Sequence, residues 1–150
     1  MSNIKFRKKI KTVCIASDHA GYDLKENIKD FLINRHISII DLGPFKNKSV
    51  DYPDYAKKIA YRVKQKKSDV GILVCGSGTG MAISANKIKT IRAAVCYNLN
   101  STRLSRQHNN ANIIALGARL TKKKLSLKLV EAFLKTKFEG GRHLRRIKKI

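Results

Sequence analysis

Short apolar runs alternate with longer amphipathic segments along almost the whole chain, and this alternation limits the possible folds more than any other feature. Apolar runs predict strands over residues 12–17, 37–41, 69–75, 91–96 and 112–116. Apolar residues at helical spacing predict helices over residues 24–35, 55–63, 81–89, 101–107 and 120–134. Five strands that alternate with helices indicate an α/β domain with a five-stranded, mainly parallel sheet.

The length and the charge of the chain bound its class. The 150 residues are predicted to form a single domain over residues 1–150, with a basic extension over residues 1–11 and a basic tail over residues 139–150. The chain carries 33 Lys and Arg against 10 Asp and Glu, for a net charge of +23. This excess indicates a polyanionic partner or an anionic substrate, and a lysine-rich surface without a function is the alternative.

Targeting signals and cysteines bear on the compartment. No apolar run approaches the roughly 20 residues that a membrane span needs, so no membrane contact is expected. Residues 1–11 lack the apolar centre and the cleavage site of a secretory signal. Three cysteines without a Cys-x-x-Cys pair argue against a disulfide framework and against a structural zinc site. We therefore expect a cytoplasmic protein in a reducing compartment.

The strongest local signal is Cys-Gly-Ser-Gly-Thr-Gly at residues 75–80, between a buried strand and a helix. Glycines let the backbone adopt positive φ and approach a ligand, and the N–H groups of the next helix attract anions. The dinucleotide pattern G-x-G-x-x-G fails because Met81 or Ile83 takes its last glycine position, and the P-loop lysine is missing. The loop predicts a site for an anion or oxyanion other than a nucleotide, with a tight glycine turn as the alternative.

The three thiols differ in position. Cys75 lies at the mouth of the glycine loop, where a thiol near helix N–H groups acts as a base or a nucleophile. Cys14 and Cys96 lie inside apolar runs and are interpreted as core residues.

Histidines and arginines provide candidates for proton transfer and anion binding. His19 follows the first strand, and His108 lies near the end of the fourth predicted helix. Histidine side chains suit the roles of an acid, a base or a phosphate donor at neutral pH. Arg119 follows the fifth strand, and Arg142 and Arg146 share one face of the tail if it is helical. Helix caps and a solvated basic tail are the alternatives.

Eight motifs occur in the order found in a known family. They are Asp-His-Ala-Gly at 18–21, Asp-Tyr-Pro at 51–53, Gly-Ile-Leu-Val-Cys-Gly-Ser-Gly-Thr-Gly at 71–80, Ala-Asn-Lys at 85–87, Ile-Arg-Ala-Ala at 91–94, Ser-Arg-Gln-His-Asn at 105–109, Ala-Leu-Gly-Ala-Arg at 115–119 and Glu-Gly-Gly-Arg-His at 139–143. The set resembles type B ribose-5-phosphate isomerase, of the ribose/galactose isomerase family. The resemblance implies a three-layer, Rossmann-like αβα sandwich. It also implies interconversion of ribose 5-phosphate and ribulose 5-phosphate through an enediolate, in the non-oxidative pentose phosphate pathway, without a metal or other cofactor.

The resemblance also implies roles for individual residues. Cys75 would be the base that moves a proton between C1 and C2, with Ser77 beside it, while His108 would open the furanose ring. Asp18 is a further catalytic candidate and would hold the sugar with Asn109. The implied substrate-binding residues are His19, Tyr52, Gly76, Gly78, Thr79, Gly80, Asn109, Arg119, Arg142 and Arg146. Of these, His19 and the three arginines would hold the phosphate.

An assembly and two other functions accompany this expectation. The family builds its site at the interface of a homodimer, or of a dimer of dimers, with the tail arginines coming from the partner. Relatives that isomerise six-carbon sugar phosphates, allose 6-phosphate or galactose 6-phosphate, are the first alternative. A basic nucleic-acid-binding protein on the same fold is the second. Because no nucleic-acid-binding motif is present, contact with nucleic acid is expected to be only non-specific.

Overall fold

A computed structural model describes residues 9–150 of the chain. Within this range the strands are β1 (Thr12–Ser17), β2 (Ser38–Asp41), β3 (Val70–Cys75), β4 (Ala93–Val95) and β5 (Ile113–Gly117). The helices are α1 (Tyr22–Ile33), α2 (Tyr52–Lys64), α3 (Thr79–Asn86), α4 (Leu99–Gln107), α5 (Lys123–Lys135) and α6 (Arg142–Ile147). The predicted alternation of strands and helices is confirmed, and the tail also contains a short helix. Of the predicted basic extension, only residues 9–11 are described.

The strands form one sheet in the order β2-β1-β3-β5-β4. Every pairing is parallel, so the expected mainly parallel sheet is confirmed. The chain adds β2 on one side of β1 and, from β3 onwards, builds towards the other side. The order therefore reverses between β1 and β3, and a crevice opens outside the carboxyl ends of these two strands. Ligands of open α/β sheets bind at such a switch point.

Helices cover both faces of the sheet, which makes the fold a three-layer sandwich. Strand side chains point alternately to the two faces. One face packs against α1 and α5, and its core includes Val13, Ile15, Ile72, Val74, Leu116 and Phe133. The other packs against α2 and α3, and its core includes Cys14, Leu73, Cys75, Ile59, Met81 and Ala115. β3 is buried along its whole length, as its continuous apolar run predicts.

Several element boundaries differ from the predicted ones, and α3 and β4 are two examples. Gly78 has a left-handed backbone with φ 81° and caps α3, so this helix begins at Thr79, before the apolar spacing that starts at Met81. β4 is shorter than predicted and spans only Ala93–Val95, the residues that pair with β5. None of the helices within residues 9–150 is long and apolar enough to cross a membrane.

Candidate active site

A cleft of about 440 Å³ lies at the switch point of the sheet. Its lining combines the end of β1, the glycine loop after β3, the start of α2 and the turn after β5. The lining residues are Asp18, Tyr52, Cys75, Gly76, Ser77, Gly80, Arg119 and Leu120. Seven of these eight, all but Leu120, are among the predicted site residues, so the fold brings one part of the predicted site together.

Asp18 is held rigidly where β1 ends. Its Oδ1 accepts a hydrogen bond from the Gly21 amide at 3.0 Å, and its own amide donates to the Val74 carbonyl at 3.1 Å. A Cβ atom on Gly21 would lie 2.3 Å from that same carbonyl oxygen, so only glycine allows α1 to approach β3 this closely. The carboxylate is buried and fixed beside the cleft.

The glycine loop wraps around the Cys75 thiol. The Gly78 amide donates to Cys75 Sγ at 3.1 Å, and the Thr79 amide donates to Ser77 Oγ at 3.3 Å. One backbone amide of the loop thus lies within hydrogen-bonding distance of the sulfur. The loop therefore places a thiol next to backbone donors for an anion.

The other two thiols lie in the core, as predicted. Cys14 and Cys96 are fully buried. Burial raises the pKa of Cys14 to about 11 and also raises the pKa of Cys96. Neither thiol therefore ionises near neutral pH, which leaves Cys75 as the thiol placed for chemistry.

Arg119 and Tyr52 close the cleft against two glycines of the loop. The Arg119 amide donates to the Gly76 carbonyl at 3.0 Å, and a Cβ on Gly76 would lie 3.0 Å from Nη1 of the guanidinium. A Cβ on Gly80 would lie 2.7 Å from the Tyr52 ring. Glycine at both positions lets a cation and a phenol rest directly on the loop backbone.

Two further predicted residues lie next to the cleft without lining it. His19 is exposed and directly follows Asp18. Thr79 is exposed at the first turn of α3. Gly78, within the loop, is buried and donates its amide to Cys75 Sγ.

The remaining predicted residues form a second cluster. His108 is the C-cap residue of α4, and Asn109 follows it. Arg142 and Arg146 are exposed on α6. The segment before α6 is tied to the end of α4, because the Glu139 amide donates to the Gln107 carbonyl at 3.1 Å.

The two clusters lie at opposite ends of the sheet within one chain. Cys75 ends β3, whereas α4 runs back from β4 and carries His108 towards the start of β5. Hydrogen bonds near the amino ends of β4 and β5 fix the path of the chain from α4 back to β5. There the Asn112 amide donates to the Arg92 carbonyl at 3.0 Å. His108 therefore lies far from Cys75 within one chain, although its segment follows β4 along the sequence. The cause is the direction of α4.

Glu139 and His143 contact His108 and were not predicted as site residues. The His143 ring stacks on the His108 ring with centroids 4.3 Å apart, and Glu139 Oε2 lies 3.5 Å from His143 Nε2. Burial, together with the charges of His108 and Arg142, lowers the pKa of His143, which favours a neutral imidazole. The signal that could have identified both residues is the motif at 139–143, to which they belong.

A larger cavity, of about 710 Å³, opens at the amino ends of the strands. Its polar lining includes Arg92, Arg106 and Asn112, and neither a cysteine nor a histidine is among its described residues. The guanidinium groups there donate to backbone carbonyls, as Arg92 Nε does to Asn110 O at 3.0 Å. This cavity therefore holds neither the thiol nor the histidine that the predicted proton transfers need.

Comparison with known proteins decides the family. The family model described as Ribose/Galactose Isomerase matches residues 13–150. The chain belongs to the ribose/galactose isomerase family. Among curated proteins, ribose-5-phosphate isomerase B of Escherichia coli is 41% identical over 94% of this chain and 95% of its own length. The family resemblance that the motifs indicated is confirmed.

Solved structures of the same family match the fold. Ribose-5-phosphate isomerase B of Clostridium thermocellum aligns with a TM-score of 0.91 at 50% identity, over 92% of this chain and 93% of its own. The Mycoplasma genitalium enzyme, solved with bound ribulose-5-phosphate, aligns with a TM-score of 0.89 at 43% identity, over 92% of both chains. The predicted Rossmann-like sandwich is thereby confirmed.

Proposed function

We propose that this isomerase-family chain interconverts ribose 5-phosphate and ribulose 5-phosphate. The observation that carries the proposal is the fold match to the Mycoplasma genitalium enzyme with bound ribulose-5-phosphate, at 43% identity. The cleft at the switch point supplies a thiol, a carboxylate and a guanidinium, which are the groups that an aldose–ketose isomerase of sugar phosphates needs. No observation favours a six-carbon substrate or nucleic acid over this one.

The thiolate of Cys75 is the proposed base. It removes the proton from C2 of the open-chain aldose and returns it to C1, while the proton of the O2 hydroxyl moves to O1. The negative charge that develops on oxygen in the enediolate is met by amides of the glycine loop, which begins at the same residue. One such donor contributes about 2.7–4 kcal/mol of transition-state stabilisation. A positioned base contributes about 10²–10⁴-fold in rate.

Arg119 is the proposed anchor for the phosphate within one chain. Its guanidinium rests on Gly76 at the edge of the cleft, where a planar fork of donors binds phosphate oxygens in pairs. The exposed His19 is the second proposed phosphate donor on this side. Asp18, fixed by the Gly21 amide, is proposed to bind the sugar hydroxyls.

A second copy of the chain is proposed to complete the site as a homodimer. Within one chain His108, Asn109, Arg142 and Arg146 lie at the opposite end of the sheet from Cys75. Exposed apolar side chains accompany both clusters: Leu120 lines the cleft at 63% exposure, and Leu144 lies on α6 at 42%. Burying them between two copies is favourable, and a two-fold axis would complete two equal sites at once.

The direct test is a kinetic assay of the purified full-length chain with ribose 5-phosphate. We expect ribulose 5-phosphate to form, with a higher kcat/KM than for the corresponding reaction of allose 6-phosphate or galactose 6-phosphate. Cys75→Ala should lose at least about 100-fold in kcat. The matched control is Cys96→Ala, which removes a core thiol and should keep kcat within a few-fold. An inactive parent would refute the function, and full activity in Cys75→Ala would refute the assignment of the base.

A further inference from the structure

The cavity of about 710 Å³ at the amino ends of the strands has a basic lining. Its described ionisable residues are Lys64, Lys66, Asp69, Arg92 and Arg106. Four cations thus face one carboxylate, whose Oδ2 accepts hydrogen bonds from the Lys11 and Thr12 amides at 2.9 and 3.0 Å. The described lining therefore carries three positive charges in excess of its negative charge.

The two guanidinium groups of this cavity lie close together. Arg92 Nε donates to the Asn110 carbonyl at 3.0 Å, and Arg106 Nη1 donates to the carbonyl of the next residue, Ala111. Burial lowers the pKa of both arginines, and the charge of Arg92 lowers that of Arg106 further. Among the residues that the structure describes, neither guanidinium pairs with a carboxylate. Because two partly buried cations repel each other, an anion that contacts both is strongly favoured here.

Both guanidinium groups are fixed in orientation and keep donors for a ligand. Nε and Nη1 of each donate to backbone carbonyls, and the Arg106 guanidinium also lies over the Phe133 ring, 5.0 Å from its centroid. A guanidinium has five N–H donors, and within residues 9–150 neither Nη2 has a hydrogen-bond partner. A planar fork that is already ordered loses little entropy when it binds phosphate oxygens in pairs.

We propose that this cavity binds a small anion that contains a chain of phosphate groups. Arg92 and Arg106 bind phosphate oxygens inside the cavity, and the exposed Lys64 and Lys66 add charge at its rim. A single phosphate carries only about 1.5–2 negative charges at pH 7, which leaves part of the excess charge of the lining unbalanced, whereas a polyphosphate balances it. The cavity lies at the edge of the sheet opposite Cys75, so this proposal does not depend on the proposed function.

Isothermal titration of the full-length chain with sodium tripolyphosphate tests the site, in 0.15 M NaCl and without substrate or Mg²⁺. We expect one tripolyphosphate per chain at a saturable site. Arg92→Gln should raise the Kd at least about 10-fold, because it removes hydrogen bonds between charged groups. Urea unfolding checks that this variant is folded before it is titrated.

A pair of lysine variants tests the site without touching the ordered arginines. Lys64→Gln combined with Lys66→Asn should raise the Kd at least about 5-fold, and asparagine tolerates the φ of 58° at position 66. The matched control is Lys57→Gln combined with Lys58→Gln, which removes the same charge from exposed positions of α2 outside the lining. These residues lie about 9–10 Å along the helix from Lys64, beyond the screening length of about 8 Å in this salt, so the Kd should stay within about 2-fold.

Three results would overturn the proposal. The first is the absence of saturable binding in the parent, and the second is an equal loss of affinity in the two lysine pairs, which would show attraction by overall charge alone. The third is displacement of tripolyphosphate by ribose 5-phosphate together with a 10-fold loss in Arg119→Gln, which would place the probe in the cleft. ATP, titrated in the same way, distinguishes two sources of the phosphate chain. Tighter binding of ATP than of tripolyphosphate would assign the site to nucleotides, and equal or weaker binding would assign it to inorganic polyphosphates.

Discussion

Two inactive variants of this chain are expected to restore activity to each other when their subunits are mixed. Cys75→Ala removes the proposed base, and His108→Asn removes the proposed ring-opening group. In a mixed dimer one site combines both substitutions and stays inactive. The other site combines the intact Cys75 of one chain with the intact His108 of its partner and is complete.

The size of the effect follows from the geometry. The nine residues of α4 rise about 1.5 Å each, so the helix carries His108 about 13 Å back along the sheet from the end at which Cys75 lies. No side chain spans that gap, so a site confined to one chain cannot contain both groups. With random exchange of subunits half of the dimers are mixed and each has one intact site of two. The expected specific activity is about one quarter of the parent value.

The assay uses the two purified variants, each inactive alone, which are mixed in equal amounts under mild denaturant and returned to buffer. Native mass spectrometry of one isotope-labelled variant counts the mixed dimers, and the rate with ribose 5-phosphate is divided by that count. Remixing the Cys75→Ala variant with itself is the control. Mixed dimers that form in the expected number and show no activity would refute a site shared between subunits.

Three further outcomes are expected. Gly78→Ala strains a backbone at φ 81° and so disturbs the hydrogen bond from the Gly78 amide to Cys75 Sγ. Because a hydrogen bond to a charged group is worth about 1.5–3 kcal/mol, kcat should fall about 10- to 150-fold in the ribose 5-phosphate assay. Lys25→Met removes the buried ammonium that lies 2.8 Å from Asp41, whereas Lys29 still pairs with this carboxylate at 2.7 Å, so the change should cost about 1.5–3 kcal/mol in urea unfolding, against about 0–1 kcal/mol for Lys29→Met. Burial raises the pKa of Asp41, but hydrogen bonds from Lys25 and Lys29 outweigh it and hold the pKa below 3.8. The stability that Asp41 contributes is therefore present above pH 3.8 and lost as the pH falls through the lowered value, a dependence that Asp41→Asn should remove in urea unfolding at descending pH.

Most of the fold could be predicted because strand burial and helix amphipathicity leave different periods in the sequence. β3 is buried on both faces and reads as an unbroken apolar run, and α2 shows its apolar stripe at helical spacing. The order of the strands in the sheet leaves no such pattern in the sequence. The position of β5 between β3 and β4 comes from long-range packing, which no local pattern records.

The residues that line the cleft could be predicted in part, because several of them directly follow the end of a strand in the sequence. Cys75 and the loop after it follow β3 directly, and Asp18 follows β1. The contacts of Tyr52 and Arg119 with the loop could not be predicted, because they depend on how closely α2 and the turn after β5 approach it. Only the structure shows that Gly76 and Gly80 leave room for those two side chains.

The location of His108 could have been argued from topology alone. In a parallel sheet each helix returns the chain to the amino edge, so a residue near the end of a crossover helix lies far from a residue that ends a strand. Cys75 ends β3 and His108 caps the end of α4, so the two are separated in any chain with this element order. A reaction that needs both groups therefore requires two chains, and the requirement comes from the direction of one helix. The motif at 139–143 follows the same logic, because its Glu139 amide ties it to the end of α4, away from the cleft.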